Sequence, residues 1–362
     1  MKKLIFFTKH MEIGGLEKSL VNLLNNLDLE ECEIELVLEE MHGPLLEQLN
    51  RRIRVSEYRL SECKFVPLRK ILNFTKRQLW ALKHRNKYDF SCSFCTYSII
   101  GSRLAQYASP NSCLYVHNDY TTIYPDEGEF KQFFEELRSH LFRHILFVSN
   151  ESKNSFTARL PHLNGQCDVI NNIVEWEKVK TLSTEPCEVT KSPEDTLFVF
   201  IGRLAEPHKR MSRLLEAFKI ARESRKDIRL LMVGDGPDRK LCEDLIREYG
   251  IGDYVQMVGS QNNPYKYLSK ADCLVLSSDY EGFPVVYFES MILGKDIITT
   301  IPVSDERVDV GAYATVAEKT PESFAQAMIG YRKRENTPLD MAELNKKRIE
   351  KLTHLIYENA DL

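Results

Sequence analysis

Short apolar runs alternate with longer amphipathic segments along this chain, and that alternation limits its fold more than any other feature. LIFFT precedes LEKSLVNLLNNL, and IELVL follows. YDFSCSF, SIIGSRLAQYA, SCLYVHN, FKQFFEELRSHLF and HILFVSN keep the rhythm. A strand between crossover helices is covered on both faces, so it needs a continuous apolar run. The pattern predicts a parallel, doubly wound α/β sheet. It breaks around 173–195, where EWEKVKTLSTEPCEVTKSPED is polar, holds two prolines and reads as a linker. It restarts with TLFVFIG and continues through IRLLMVG, YVQMVG, DCLVLSS and DIITT. The 362 residues thus divide into two Rossmann-like halves, predicted at 1–172 and 173–341. Two such halves imply a cleft between them.

Composition narrows the classes. With 43% hydrophobic and 28% charged residues, global disorder is excluded. Wholly apolar runs such as LFVFI are far shorter than the roughly 20 residues of a membrane-spanning helix. The apolar stretch in MKKLIFFTKH is too short for a signal peptide, so a cytoplasmic protein is expected. Cys92, Cys113 and Cys273 lie in strand-like runs, where a reduced thiol serves as a small hydrophobe. Cys92 and Cys95 form one C-x-x-C, but no second pair exists to complete a zinc site.

The net charge of −4 conceals an asymmetry. Residues 19–50 hold eight acidic residues and no Lys or Arg, while 51–87 hold twelve Lys/Arg and two Glu. Within the basic stretch, Leu68, Ile71, Leu72, Phe74, Leu79 and Trp80 interleave with Arg69, Lys70, Lys76, Arg77 and Lys83. A basic amphipathic helix can lie on an anionic membrane. The alternative is a solvated helix packed on its sheet by the apolar stripe. Nucleic acid is not expected, because no nucleic-acid-binding motif accompanies the patch.

In open parallel sheets, ligands bind beyond the carboxyl ends of the strands, so the loops there should carry the chemistry. Gly14 and Gly15 precede a predicted helix after the first strand, where backbone can approach an anion; a plain turn is the alternative. Gly202-Arg203-Leu204 ends the strand after the linker, and Lys209-Arg210 follow. An Arg and a Lys there suit a diphosphate. VGDGPDR has Arg239 where a dinucleotide fingerprint has its third glycine, so a turn with a packing role is favoured. The sharpest element is SSDYEGFPVVYFE, with Glu281 and Glu289 in an E-x7-E spacing around a helix start. That helix N-terminus offers free amides to a phosphate, and a carboxylate suits adjacent sugar hydroxyls.

GGLEKSL, HNDY, GRLAEPHKRMSRLLEAF, VGDGP and ADCLVLSSDYEGFPVVYFESM occur in this order within residues 1–300. Together they resemble family 4 of the retaining GT-B glycosyltransferases, most closely those of bacterial capsule and cell-surface polysaccharide synthesis. The resemblance implies a GT-B fold, with two Rossmann-like domains facing a cleft and a last helix, about 342–362, packing back on the first. It implies a nucleotide-sugar donor, most readily a UDP-sugar, and a glycan or polyprenyl-linked acceptor, with sugar transfer that retains anomeric configuration. Arg203 and Lys209 would hold the diphosphate, Glu281 the sugar hydroxyls and Glu289 the ribose hydroxyls. Gly282, Phe283, Val285 and Val286 would present backbone amides. Gly14 and Gly15 would close over the diphosphate, and His117 would line the sugar pocket. Met257, Val258 and Ser260 belong to the segment that would meet the nucleobase.

Two departures stand out. Arg210 occupies the family's usual glycine position, so either Lys209 or Arg210 can face the diphosphate. PVSDERVDVGAYATV replaces the glycine-rich loop expected after residue 300, and no site residue is assigned there. The chain contains no Asp-x-Asp, so no metal or other cofactor is expected. A non-catalytic nucleotide-sugar binder and a GT-B sugar epimerase are the alternative functions. The enzyme is expected in the cytoplasm, at most peripheral on the inner membrane face through residues 51–87.

Overall fold

The computed structural model describes residues 1–189, 191–302, 308 and 310–358. The chain forms two compact units, Met1–Ile173 with Asn345–Leu362, and Val174–Leu344.

Unit 1 is built on seven parallel strands: β1 (Lys2–Thr8), β2 (Cys32–Leu38), β3 (Arg54–Glu57), β4 (Phe90–Ser93), β5 (Ser112–Val116), β6 (His144–Phe147) and β7 (Cys167–Val169). Their order is β3-β2-β1-β4-β5-β6-β7. Unit 2 has six: β8 (Thr196–Ile201), β9 (Ile228–Val233), β10 (Val255–Gly259), β11 (Cys273–Leu276), β12 (Asp296–Thr299) and β13 (Ala314–Val316), also parallel. Their order is β10-β9-β8-β11-β12-β13. In both sheets the winding direction reverses beside the first strand, between β1 and β4 and between β8 and β11. Such a reversal parts the neighbouring loops and opens a crevice at the strand ends.

The apolar runs become the central strands. Leu4, Ile5 and Phe6 of β1 are fully buried, as are Phe198, Val199 and Phe200 of β8. Aromatic side chains fill one side of unit 1, with ring centroids 4.9 Å apart for Phe130–Phe134 and 4.8 Å for Phe134–Phe156. The strands without a sequence signal are β3, β7 and β13. They are short edge strands with sequences RVSE, CDV and ATV. An edge strand pairs on one side only and need not be apolar throughout.

The linker expected at 173–195 is corrected by the structure. Trp176–Ser183 is a helix of unit 2. Val179 is its one buried residue, so a single apolar contact left no period to read. The final helix, Ala342–Tyr357, joins unit 1 from Asn345 onward. Arg348 donates to the Asn172 carbonyl at 2.8 Å, and Asn111 donates to the Leu355 carbonyl at 2.8 Å. Residues 359–362, at the end of the expected helix, lie outside the described residues, as do 303–307 and 309 of the stretch after residue 300.

Three helices of unit 1 bear on function: α1 (Gly15–Asn26), α2 (Val66–His84) and α3 (Ile99–Ala108). α2 carries the basic stretch. Ala81 is its only buried residue, and Ile71, Phe74, Leu79 and Leu82 are all more than half exposed. Trp80 is an exception among the interleaved apolar residues. It turns inward, 5.8 Å from Phe7 and 6.2 Å from Tyr58 between ring centroids. Folding also neutralises part of the charge asymmetry, because Arg52 pairs with Glu30 and Arg54 with Glu35. Arg69, Lys70 and Lys83 of α2 make no ion pair with a described residue.

Candidate functional site

The unit 2 candidates gather where the strand order reverses. β8 ends at Ile201, and Gly202-Arg203 follow. Arg203 is exposed and makes no ion pair with a described residue. A short helix, Glu206–Lys209, leads to Arg210, which sits in the left-handed region with φ 49° and ψ 55°. A side chain costs about 1–2 kcal/mol there, and glycine does not. This accounts for the glycine usual at this position in the family that the sequence resembles. In this chain the guanidinium of Arg210 pairs with Asp279, which opposes that cost.

Lys209 goes elsewhere. Its Nζ donates to Glu281 Oε1 at 2.5 Å, with the lysine side chain 21% and the glutamate 13% exposed. Glu281 also accepts from Ser278 Oγ at 2.6 Å. The two loops are fastened by the Ser277 hydroxyl, whose one proton is shared between the carbonyls of Lys209 at 2.9 Å and Arg210 at 2.8 Å. Asp279 also accepts from Arg213 Nη2 at 2.7 Å, and both arginines hold its carboxyl below the ordinary range despite burial. Adjacent strands β8 and β11 thus bring Lys209 and Glu281, 72 positions apart in sequence, into direct contact.

Gly282, Phe283 and Pro284 lead from Glu281 into the helix Val285–Ile292. Pro284 sits at its N-cap, and no side chain caps the free amides of its first turn. Phe283 stacks on Phe288 with centroids 4.6 Å apart, which fixes the angle of entry. Glu289, one helix turn further on, is 4% exposed and accepts from the Tyr265 hydroxyl at 3.0 Å. The carboxylate buried in an apolar helix therefore has a neutral donor. Met257 and Val258 lie on the edge strand β10, and Ser260 is exposed just beyond it.

The glycines of VGDGP serve packing, as their sequence suggests. Gly234 has φ +145°, and a Cβ there would stand 1.9 Å from the Gly202 carbonyl oxygen. A Cβ at Gly236 would stand 2.3 Å from that of Leu204. Both let the turn after β9 pass against the backbone that carries Arg203. Gly234→Ala should therefore destabilise the protein by about 2–4 kcal/mol in urea unfolding, with Gly165→Ala, whose Cβ meets open space, near neutral.

In unit 1, the predicted residues stand at the ends of β1 and β5. Gly14 is the N-cap of α1 in extended conformation, and a Cβ there would meet the Glu17 carboxylate at 2.2 Å. Gly15 has open space before it. Burial pushes the Glu17 carboxyl above its ordinary range. His117 is 7% exposed, held between Phe94 at 4.3 Å and Tyr115 at 4.7 Å by ring centroids. Burial pushes its pKa down to about 3, so the ring is neutral at ordinary pH. Its Nε2 is buried with no hydrogen-bond partner among the described residues.

Cys92 and Cys95 are both buried free thiols, and burial pushes both thiols up. Among the described residues, no group of three His, Cys, Asp or Glu side chains is placed to hold a metal ion. Sequence reasoning missed Ser278, Arg213 and Tyr265 as supporting residues. Ser278 lay inside the quoted loop. Arg213 and Tyr265 reach their partners only through tertiary packing.

The family described as glycosyl transferases group 1 matches residues 184–348. An uncharacterized glycosyltransferase of Methanocaldococcus jannaschii is 30% identical over 159 residues, 43% of this chain and 39% of that protein. This chain therefore matches well under two thirds of that relative's length. The N-acetylgalactosamine-N,N'-diacetylbacillosaminyl-diphospho-undecaprenol 4-alpha-N-acetylgalactosaminyltransferase of Campylobacter jejuni is 24% identical over 313 residues, 83% of this chain and 81% of that protein. The structure of Anabaena HepE in complex with UDP and glucose superposes with a TM-score of 0.74 at 13% identity, covering 99% of this chain and 100% of that one. At that identity the likeness concerns the fold.

Proposed function

We propose that this chain, which has the GT-B fold and whose residues 184–348 belong to the group 1 glycosyl transferases, moves a sugar from a UDP-sugar to a lipid-linked glycan with retention of anomeric configuration. The observation that carries this reading is the Lys209–Glu281 pair at the strand-order reversal, beside an uncapped helix N-terminus. A cation and a carboxylate in contact can both turn to a donor: Lys209 to the diphosphate, Glu281 to the sugar hydroxyls. Exposed Arg203 adds a second charge to the leaving group. The free amides at Val285 and Val286 add the positive end of a helix dipole. Glu289 takes the ribose hydroxyls, in exchange for or alongside Tyr265. The β10 segment Met257–Ser260 meets the base.

Breaking the anomeric C–O bond places negative charge on the diphosphate and positive charge on the ring. Lys209, Arg203 and the helix amides stabilise the first electrostatically. His117, neutral at ordinary pH, cannot act there as a proton donor in its charged form. Its free Nε2 suits a hydrogen bond to a sugar hydroxyl. In the retaining reaction, the acceptor oxygen attacks from the face the diphosphate leaves, and the departing diphosphate takes the acceptor's proton.

The acceptor is read as lipid-linked from α2, whose outward face is basic and apolar. Peripheral docking on an anionic membrane through this helix is part of the proposal. Among the described residues, no helix is long and apolar enough to cross a membrane.

The test is release of UDP from UDP-sugars with and without a polyprenyl-diphosphate-linked acceptor, with the product anomer read by NMR. Release only with acceptor separates a transferase from a nucleotide-sugar binder. Release without acceptor, or none with any donor, overturns the reading. Cations from the protein replace a metal in this scheme, so turnover should persist in excess EDTA. Loss of turnover in EDTA, restored by Mg²⁺ or Mn²⁺, would refute the metal-free assignment.

A further inference from the structure

The exposed imidazole of His208 stands next to Lys209 in the short helix Glu206–Lys209, outside every contact assigned to the donor. Three consecutive residues here meet three consecutive residues of the loop after β11. The His208 ring packs on Tyr280 with centroids 4.7 Å apart, Lys209 reaches Glu281, and Arg210 reaches Asp279. The Asp279 amide also donates to the His208 carbonyl at 2.9 Å. The ring is thus held where the two loops join, on backbone fixed from both sides.

The charges around the ring pull in opposite directions. Partial burial opposes a proton on it, and so do Lys209 on its own helix and Arg203 at the end of β8. Glu281 on the facing loop favours one. The other charged groups of these elements have partners of their own. Glu206 takes the amide and hydroxyl of Ser212, Asp279 is paired with Arg210 and Arg213, and Lys319 donates to the Asp279 carbonyl at 2.5 Å. The balance holds the His208 pKa below its ordinary value, so the ring is mostly neutral at neutral pH. A diphosphate bound by Arg203 and Lys209 reverses that balance, because its negative charge offsets the two cations that oppose the proton.

We infer that His208 is a further donor-site residue, whose imidazolium hydrogen-bonds the diphosphate beside Lys209 and Arg203. The inference rests on the proposed nucleotide-sugar reading. The proton comes from solvent as the diphosphate binds. His208 then matches its charge to the state of the site: neutral between two cations when no anion is present, cationic when one is. A lysine or arginine at this position would repel the other two cations permanently. Because the bound state has the higher pKa, nucleotide affinity rises as pH falls through the interval between the free and bound values.

The test is calorimetric titration of the full-length protein with UDP at about pH 5.5 and about pH 8, either side of the ordinary histidine value. His208→Phe keeps an aromatic ring to pack on Tyr280 but cannot take a proton, so a purely packing role survives in it. The terminal phosphate of UDP titrates in the same range, and that effect is common to both proteins and cancels between them. On acidification, wild type should gain about three- to fivefold more UDP affinity than His208→Phe. Near neutral pH, titrations in buffers of different ionisation enthalpy should show more proton uptake by wild type than by the variant. Equal pH dependence and equal proton uptake in the two proteins would overturn the inference, and turnover of UDP-sugars beside that result would leave the transferase reading intact. If UDP binding follows His208 in the expected way while no UDP-sugar is turned over, the diphosphate contact stands and the transferase reading falls.

Discussion

Lys209→Ala should lower kcat about 10²–10³-fold, the usual effect of removing one preorganised donor from a developing charge. In the proposed reaction Lys209 turns to the diphosphate; in the structure its ammonium lies 2.5 Å from Glu281, at the ends of adjacent strands. The ammonium gains strength of interaction as charge builds on the diphosphate, so the loss should fall on turnover more than on KM. Glu281→Ala should also reduce kcat strongly with little change in UDP affinity, because its proposed partner is the sugar. Glu289→Ala should instead weaken UDP binding. Calorimetric titration with UDP beside steady-state kinetics separates the three. If Lys209→Ala keeps wild-type kcat, or Glu289→Ala keeps wild-type UDP affinity, the corresponding assignment is wrong. Arg210→Ala is the internal control. It loses a pairing with Asp279 that secures the loop, and it should affect stability more than charge stabilisation in the transition state.

Acid should destabilise the protein through His117. The ring is buried and its folded pKa is about 3, against an unfolded value near 6.5. Between these values the unfolded chain binds the proton and the folded chain does not. Stability therefore rises with pH in that window. The contribution is fully present above about pH 6.5 and is lost as pH falls toward 3. At pH 4.5 the loss from this one group is about 2–3 kcal/mol relative to pH 7. Urea unfolding of wild type and His117→Gln at both pH values isolates it, since other groups titrate in both proteins. The variant should lose less stability on acidification by about that amount. Parallel losses would show that the histidine is not held neutral by burial.

The sequence by itself determined the class of fold. Central strands of a parallel sheet are buried on both faces, so LIFFT, TLFVFIG and DCLVLSS announce themselves as apolar runs. The loop bearing Glu281 and Glu289 was legible for a related reason: a helix start after a buried strand needs small and polar residues in a short, fixed space. The packing role of Gly234 could likewise be read from the missing third glycine. Edge strands β3, β7 and β13 were not legible, because one-sided pairing imposes no apolar pattern. Trp176–Ser183 looked like a linker because it buries only Val179.

Tertiary structure decided the rest. In the sequence Lys209 and Arg210 are adjacent cations with nothing to tell their partners apart. The left-handed backbone at Arg210 turns one side chain to Asp279 and the other to Glu281. That direction depends on where β11 lies beside β8, which no local pattern encodes. The inward turn of Trp80 depends in the same way on Phe7 and Tyr58. Local propensity and burial period are properties of neighbouring residues, so a sequence displays them. The pairing of distant charges is a property of the sheet order, so it appears only once the chain is folded.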